Sequence, residues 1–116
     1  YAGLRLIDSR VEGYALQLLT VGYGGKIELT IGIRYDGEIC GIKVDSHSET
    51  AGLGARLTEH SFLSQFRDLN VFSSVTLDRD AQFVQKVDAI TSATITSQAV
   101  VRAVNGAIYI YGILES

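Results

Sequence analysis

The sequence contains no proline, no tryptophan and no methionine, and only one cysteine. A lone thiol closes no internal disulfide, so the fold has to be held by its core. Cys40 sits in the apolar run Glu38–Val44, where a buried, inert thiol is the expectation. Long hydrophobic runs are missing too. The longest, around Ala107–Leu114, is interrupted by Gly112 and falls well short of the ~20 residues that a bilayer-spanning helix needs. Positive charge is never concentrated: the net charge is −3 and no Lys/Arg cluster occurs. A binder of phosphate backbones needs such a cluster, so nucleic acid is not an expected partner. A chain that opens on Tyr1 and lacks methionine reads as a fragment or a processed form.

What is present is the composition of a folded domain. The chain has 116 residues, 47% of them hydrophobic and 20% charged. That is room for one domain and the wrong mix for disorder. The first half reads as strands. Tyr14–Val21 is apolar and β-prone, and Gly22-Tyr23-Gly24-Gly25 marks a turn. Ile27–Tyr35 then alternates, with Ile27, Leu29, Ile31 and Ile33 on one face. Asp36-Gly37 is a two-residue hairpin signal, and Glu38–Asp45 returns as its partner strand. An antiparallel meander of about three strands follows. Ser46–Gly54 is polar and glycine-rich and reads as a long loop. Ser61–Phe66 reads as a short helix burying Phe62, Leu63 and Phe66. Val71–Leu77 and Gln82–Val87 read as strands on either side of an Asp78-Arg79-Asp80 turn.

From Ser97 the pattern changes. Val100, Ala103, Val104, Ala107, Ile108, Tyr111 and Leu114 form a helical stripe. Asn105-Gly106 is a hairpin signal that argues the other way, but the stripe outweighs it. The fold class is therefore α+β: a single domain with an antiparallel sheet, a short helix and a C-terminal helix.

Just ahead of that helix, Thr91, Ser92, Thr94, Thr96 and Ser97 place five hydroxyls in seven residues. Helix N-termini carry unpaired N–H groups and partial positive charge, so an anion site is one reading. A generous N-cap is the other, and the pattern alone does not separate them. Other candidates are weaker. His47 and Glu49 share a loop without a third ligand at metal spacing, and read as a solvated pair. His60 falls at the start of the short helix. Gly22-x-Gly24 lacks the third glycine and the following helix of a dinucleotide fingerprint. No nucleophile–base order stands out. Tyr23, Tyr35, Tyr109 and Tyr111 read as core aromatics.

Three stretches together resemble the FMN-binding domain family, which includes the G subunit of the Rnf electron-transport complex and the C subunit of the sodium-translocating NADH:quinone reductase. Thr91-Ser92-Ala93-Thr94-Ile95-Thr96 is similar to the family's Ser/Thr-Gly-Ala-Thr-x-Ser/Thr signature, with Asp88 fitting the pattern read by a flavin transferase. His47-Ser48-Glu49-Thr50-Ala51-Gly52-Leu53-Gly54 is similar to its His-x-Glu-Thr-Pro-Gly-Leu-Gly loop, which precedes a helix like Phe62-Leu63-Ser64-Gln65-Phe66. Gly22-Tyr23-Gly24-Gly25-Lys26 is the third. Ser97-Gln98-Ala99-Val100-Val101 favours the Rnf type. Two departures stand out: Ser92 replaces a glycine and Ala51 a proline.

The resemblance implies that residues 1–116 are one FMN-binding domain with FMN joined covalently, through its phosphate, to Thr94. A flavin transferase would make that bond from FAD with magnesium. Thr91, Ser92, Ala93, Thr96 and Ser97 would surround the linkage, and Glu49, Thr50, Gly52, Leu53 and Gly54 would lie against the flavin. It further implies an electron carrier, not catalytic alone, working beside the other subunits of a membrane ion-translocating complex. The domain would sit on the extracytoplasmic face, tethered by a segment outside this chain. Two other functions stay open: an FMN relay domain of a larger flavin reductase, and a non-redox binding or structural domain.

Overall fold

In the computed structural model, residues 3–10 and 13–115 are described. Four antiparallel strands form one sheet in the order β1-β2-β3-β4: β1 Gly3–Arg10, β2 Gly13–Val21, β3 Lys26–Arg34 and β4 Ile39–His47. The meander is thus one strand longer than the sequence pattern indicates, with β1 on the edge beside β2. Alternation in β2 and β3 sets the register. Leu16 faces Ile31 and Leu18 faces Leu29 across the pair, and all four are buried. Stacking these side chains on one face leaves the other for polar residues.

The buried face is covered by α3, Thr94–Leu114, which packs mainly on β2 and also touches β3, with Val100, Ala103, Val104 and Ala107 buried. The helix starts three residues ahead of Ser97, where the pattern changes, and Asn105-Gly106 lies inside it. No helix of the described residues is long and apolar enough to cross a membrane.

Between sheet and helix the chain departs from several expectations. The stretch 46–54 is no long loop, because β4 runs to His47 and α1, Ala51–Leu57, begins four residues later. The short helix divides into α2, His60–Leu63, and a 3₁₀ turn, Ser64–Phe66, with Phe62 and Phe66 in the core. His60 opens α2, as expected. The two later strands shrink to β5, Val75–Thr76, and β6, Gln85–Lys86, and they pair parallel rather than as a hairpin. Cys40 is exposed, not buried. It sits on β4 next to the buried Ile39, and successive side chains on a strand point to opposite faces.

Candidate functional site

The turn that leads into α3 is fixed from both sides by side chains. Gln65 grips the Asp88 backbone twice: its Oε1 accepts from the Asp88 N–H at 2.6 Å and its Nε2 donates to the Asp88 carbonyl at 2.9 Å. Ser97 closes the other side. Its hydroxyl donates to the Ala93 carbonyl at 2.8 Å and accepts from the Ile90 N–H at 2.9 Å. Ala93 N–H donates to the Ile90 carbonyl at 3.0 Å, completing the turn. Ser92, at its apex, has φ +61°. That is left-handed backbone, where glycine is at ease and serine is strained. The departure at Ser92 therefore falls on a position whose geometry suits the family's usual residue. Ala51, the other departure, is the first residue of α1. Proline fits well at such a position.

The five hydroxyls divide into two groups. Thr96 and Ser97 are buried and engaged inside the protein. Thr91, Ser92 and Thr94 are exposed and have no side-chain hydrogen bond among the described residues. None of the five caps the helix, whose N-cap position is Ala93 with no side-chain cap bond. The capping reading therefore fails, and Thr94, the first residue of α3, presents an unengaged hydroxyl at the end of a rigid turn.

Glu49 is not part of a solvated pair. It is 8% exposed and both carboxylate oxygens are taken. Oε1 accepts from the Tyr23 N–H at 3.0 Å and from the Thr96 hydroxyl at 2.6 Å, and Oε2 accepts from the Gly24 N–H. A buried carboxylate needs such donors to offset its lost hydration. Gly22 and Gly24 make room for it, because a Cβ on either would overlap the carboxylate. The Gly22-x-Gly24 spacing thus serves an acid, not a dinucleotide. His47 is exposed and its Nδ1 accepts from the Glu49 N–H at 3.2 Å. Its ring lies against Gly54, where a Cβ would collide with it.

The rest of that segment faces outward. Thr50 is exposed and Leu53 half-buried, and a Cβ built on Gly52 would meet nothing within 4 Å. Tyr23 is 72% exposed, Tyr109 67% and Tyr35 38%, so none of the three is a core aromatic, whereas Tyr111 is buried. Hollows flank the turn that leads into α3 on two sides. An open groove of about 540 Å³ beside Thr94 is lined by Val75, Leu77 and Val101 with Gln98, Arg102 and Asn105. A smaller, more polar one of about 330 Å³ beside Thr91 includes Arg56, Glu59 and Asp88. The larger one falls in the usual size range of cofactor sites, and its lining is mixed, with Thr76, Asp78, Gln98, Arg102 and Asn105 beside the apolar Val75, Leu77 and Val101. Asp88 itself is exposed and pairs with Arg79 at 2.9 Å. Surface contacts of that kind carry little energetic weight.

Gln65 is not a candidate in the sequence, although with Ser97 it holds the turn that leads into α3. Its signal was its place in Phe62-Leu63-Ser64-Gln65-Phe66, where a polar residue between two buried phenylalanines has to point at something polar.

The FMN-binding domain family matches residues 22–109, and the chain belongs to that family. Among curated proteins it is 38% identical, over 86% of its length, to the G subunit of the proton-translocating ferredoxin:NAD(+) oxidoreductase complex of Clostridium ljungdahlii. It is 44% identical, over 88% of its length, to the G subunit of the ion-translocating oxidoreductase complex of Methanosarcina acetivorans. The chain spans about half the length of these relatives, 54% of each. In fold it is similar to the C subunit of the Na(+)-translocating NADH-quinone reductase of Parabacteroides distasonis, with a TM-score of 0.71 over 88% of this chain and 55% of that one, at 23% identity.

Proposed function

We propose that this domain carries FMN covalently on Thr94, through a phosphoester, and serves as an electron carrier in an ion-translocating membrane oxidoreductase complex of the Rnf type. One observation carries the attachment site. Of the five hydroxyls around the helix start, Thr94 alone combines an unengaged side chain, a place in the first turn of α3 and an opening onto the larger groove. The singly charged diester formed there would lie near the positive end of the α3 dipole. Thr91, Ser92 and Ala93 form the turn that would flank it, with Thr96 and Ser97 bracing the turn from inside. Thr50, Gly52 and Leu53 supply a hydroxyl, open backbone and an apolar side chain suited to a flavin ring, backed by Glu49 and Gly54.

Bound FMN supplies one- and two-electron redox chemistry, and the protein's part is to hold and surround it. A covalent tether keeps the carrier loaded through every cycle. Maturation then requires a flavin transferase acting on FAD. The partners are the other subunits of such a complex, and the membrane link is a segment outside this chain, with the domain on the extracytoplasmic face. The subunit names of the relatives support the place in an ion-translocating oxidoreductase complex.

Co-expression with a flavin transferase tests it. The purified chain gains the mass of one FMN less one water and stays yellow after denaturation, and Thr94→Val abolishes the gain while leaving the fold. Flavinylation that persists in Thr94→Val moves the acceptor to Thr91, Ser92 or another hydroxyl.

A further inference from the structure

We propose that Glu49 and Thr96 form a latch that immobilises the acceptor end of α3, so that whatever Thr94 carries is held in one orientation relative to the sheet. Glu49 is a positioning residue in this arrangement. The clause that concerns a carried group rests on the flavin reading above, while the latch itself does not.

Gln65 and Ser97 brace the turn that leads into α3, but the first turn of the helix lacks two devices that usually steady a helix start. It has no side-chain cap, and no acidic residue lies in that turn to meet the partial positive charge there. Frayed first turns are the ordinary consequence. Here the missing negative charge arrives from a distant part of the chain. Glu49 lies 47 residues before Thr96, and its Oε1 accepts the Thr96 hydroxyl proton at 2.6 Å in a buried setting.

The same carboxylate is itself anchored. Tyr23 and Gly24 donate backbone N–H groups to it from the β2–β3 turn, and Gly22 and Gly24 lack the side chains that would exclude it. One residue thus joins three segments: the sheet's turn, the start of α1 and the start of α3. Arg102 adds a fourth point nearby, donating from Nη2 to the Val21 carbonyl at 3.2 Å. Thr94 lies two residues from Thr96, within the same turn, so its backbone is placed when Thr96 is fixed.

The functional consequence is orientation. Electron transfer depends on distance and on the path between carriers. A flavin swinging on a frayed helix end would sample many distances, and one held by the latch samples few. Charge-assisted hydrogen bonds of this buried kind are among the stronger ones available for such a task.

Amide hydrogen exchange on the unmodified chain tests the latch directly, using Thr96→Val, which keeps the shape, and Thr96→Ser, which keeps the hydroxyl. Exchange at residues 97–100, the first amides of α3 that are hydrogen-bonded, rises about tenfold or more in Thr96→Val and stays within about twofold of the parent in Thr96→Ser, while β3 amides serve as the internal reference. The fluorescence anisotropy of flavin in the loaded protein falls in Thr96→Val and recovers in Thr96→Ser. Unchanged local exchange in Thr96→Val, or equal loss in both variants, overturns the latch. Faster exchange without any loss of anisotropy keeps the latch and overturns its role in orientation. A parent chain that takes up no flavin overturns the flavin reading instead, and the exchange measurement still decides the latch.

Discussion

Asn105 holds Val75 by both ends of its amide: Oδ1 accepts from the Val75 N–H at 2.8 Å and Nδ2 donates to the Val75 carbonyl at 2.9 Å. A helical side chain thereby takes the place of a neighbouring strand for β5. It also explains why an Asn-Gly pair, ordinarily a turn signal, lies within a helix. Truncation to Asn105→Ala leaves the buried Val75 backbone without partners. The expected cost is about 2–3 kcal/mol, from two lost bonds and an orphaned donor. Urea denaturation checks it, as a lower midpoint with an unchanged slope.

Ser92 predicts the opposite sign. At φ +61° a serine sits in left-handed backbone, which costs an L-residue about 1–2 kcal/mol. Ser92→Gly removes that strain but adds freedom to the unfolded chain, worth about 0.4–1 kcal/mol against folding. The net expectation is a gain of about 0.5–1 kcal/mol, measured in the same denaturation experiment. Ser92→Val, branched at Cβ, should lose stability at the same position.

At the other end of α3, Tyr14 donates to Glu115 Oε2 at 2.5 Å and stacks edge-on with Tyr35 and Tyr111. The bond to Glu115, then burial and the charge of Glu115, push its pKa from 10.0 to about 12. Burial, followed by the charges of Glu115 and Asp36, raises Tyr111 as well. A proton held more tightly in the folded state contributes stability that is whole below the ordinary value of 10.0. That contribution is lost as pH rises from there through about 12. Stability should therefore fall with pH across that window. Tyrosinate absorbance of Glu115→Gln should show Tyr14 titrating closer to its ordinary value, and Tyr14→Phe should flatten the alkaline decline.

Period made β2, β3 and α3 legible in the sequence, because each buries one face on a regular spacing, and the Asp36-Gly37 turn made β4 legible, of which only Ile39 is buried. The region between β4 and α3 was far less so. Its backbone is held by amide side chains acting as strand partners: Gln65 on Asp88, Gln85 on Asn70 and Asn105 on Val75. Such pairings join residues distant in sequence and leave no periodic trace, so Val71–Leu77 and Gln82–Val87 read as longer strands than they are. Cys40 shows a different limit: it lies in an apolar run, yet β4 has one exposed face and the thiol is on it. For the site, the resemblance pointed to both Glu49 and Thr96, but their hydrogen bond depends on the tertiary fold. Thr94, a helix-start hydroxyl, was legible from local pattern together with the family motif.

Gly52 and Gly54 stand two residues apart in α1 and make opposite demands. A helix interior glycine costs about 0.5–1 kcal/mol relative to alanine, so each calls for a reason. Gly54 has one within the protein, since a Cβ would strike the His47 ring. Gly52 has none, for nothing lies within 4 Å of where its Cβ would be. If a flavin on Thr94 covers that bare backbone, Gly52→Val leaves the apo fold intact and its denaturation midpoint unchanged or higher. In the loaded protein the same substitution alters flavin fluorescence or lowers the extent of flavinylation. Gly54→Ala should do the reverse, lowering the midpoint of the unmodified chain by displacing His47 and its bond to the Glu49 N–H. A Gly52→Val protein with parental fluorescence and full attachment would place the cofactor away from α1, against the groove between α3 and β5 that opens beside Thr94.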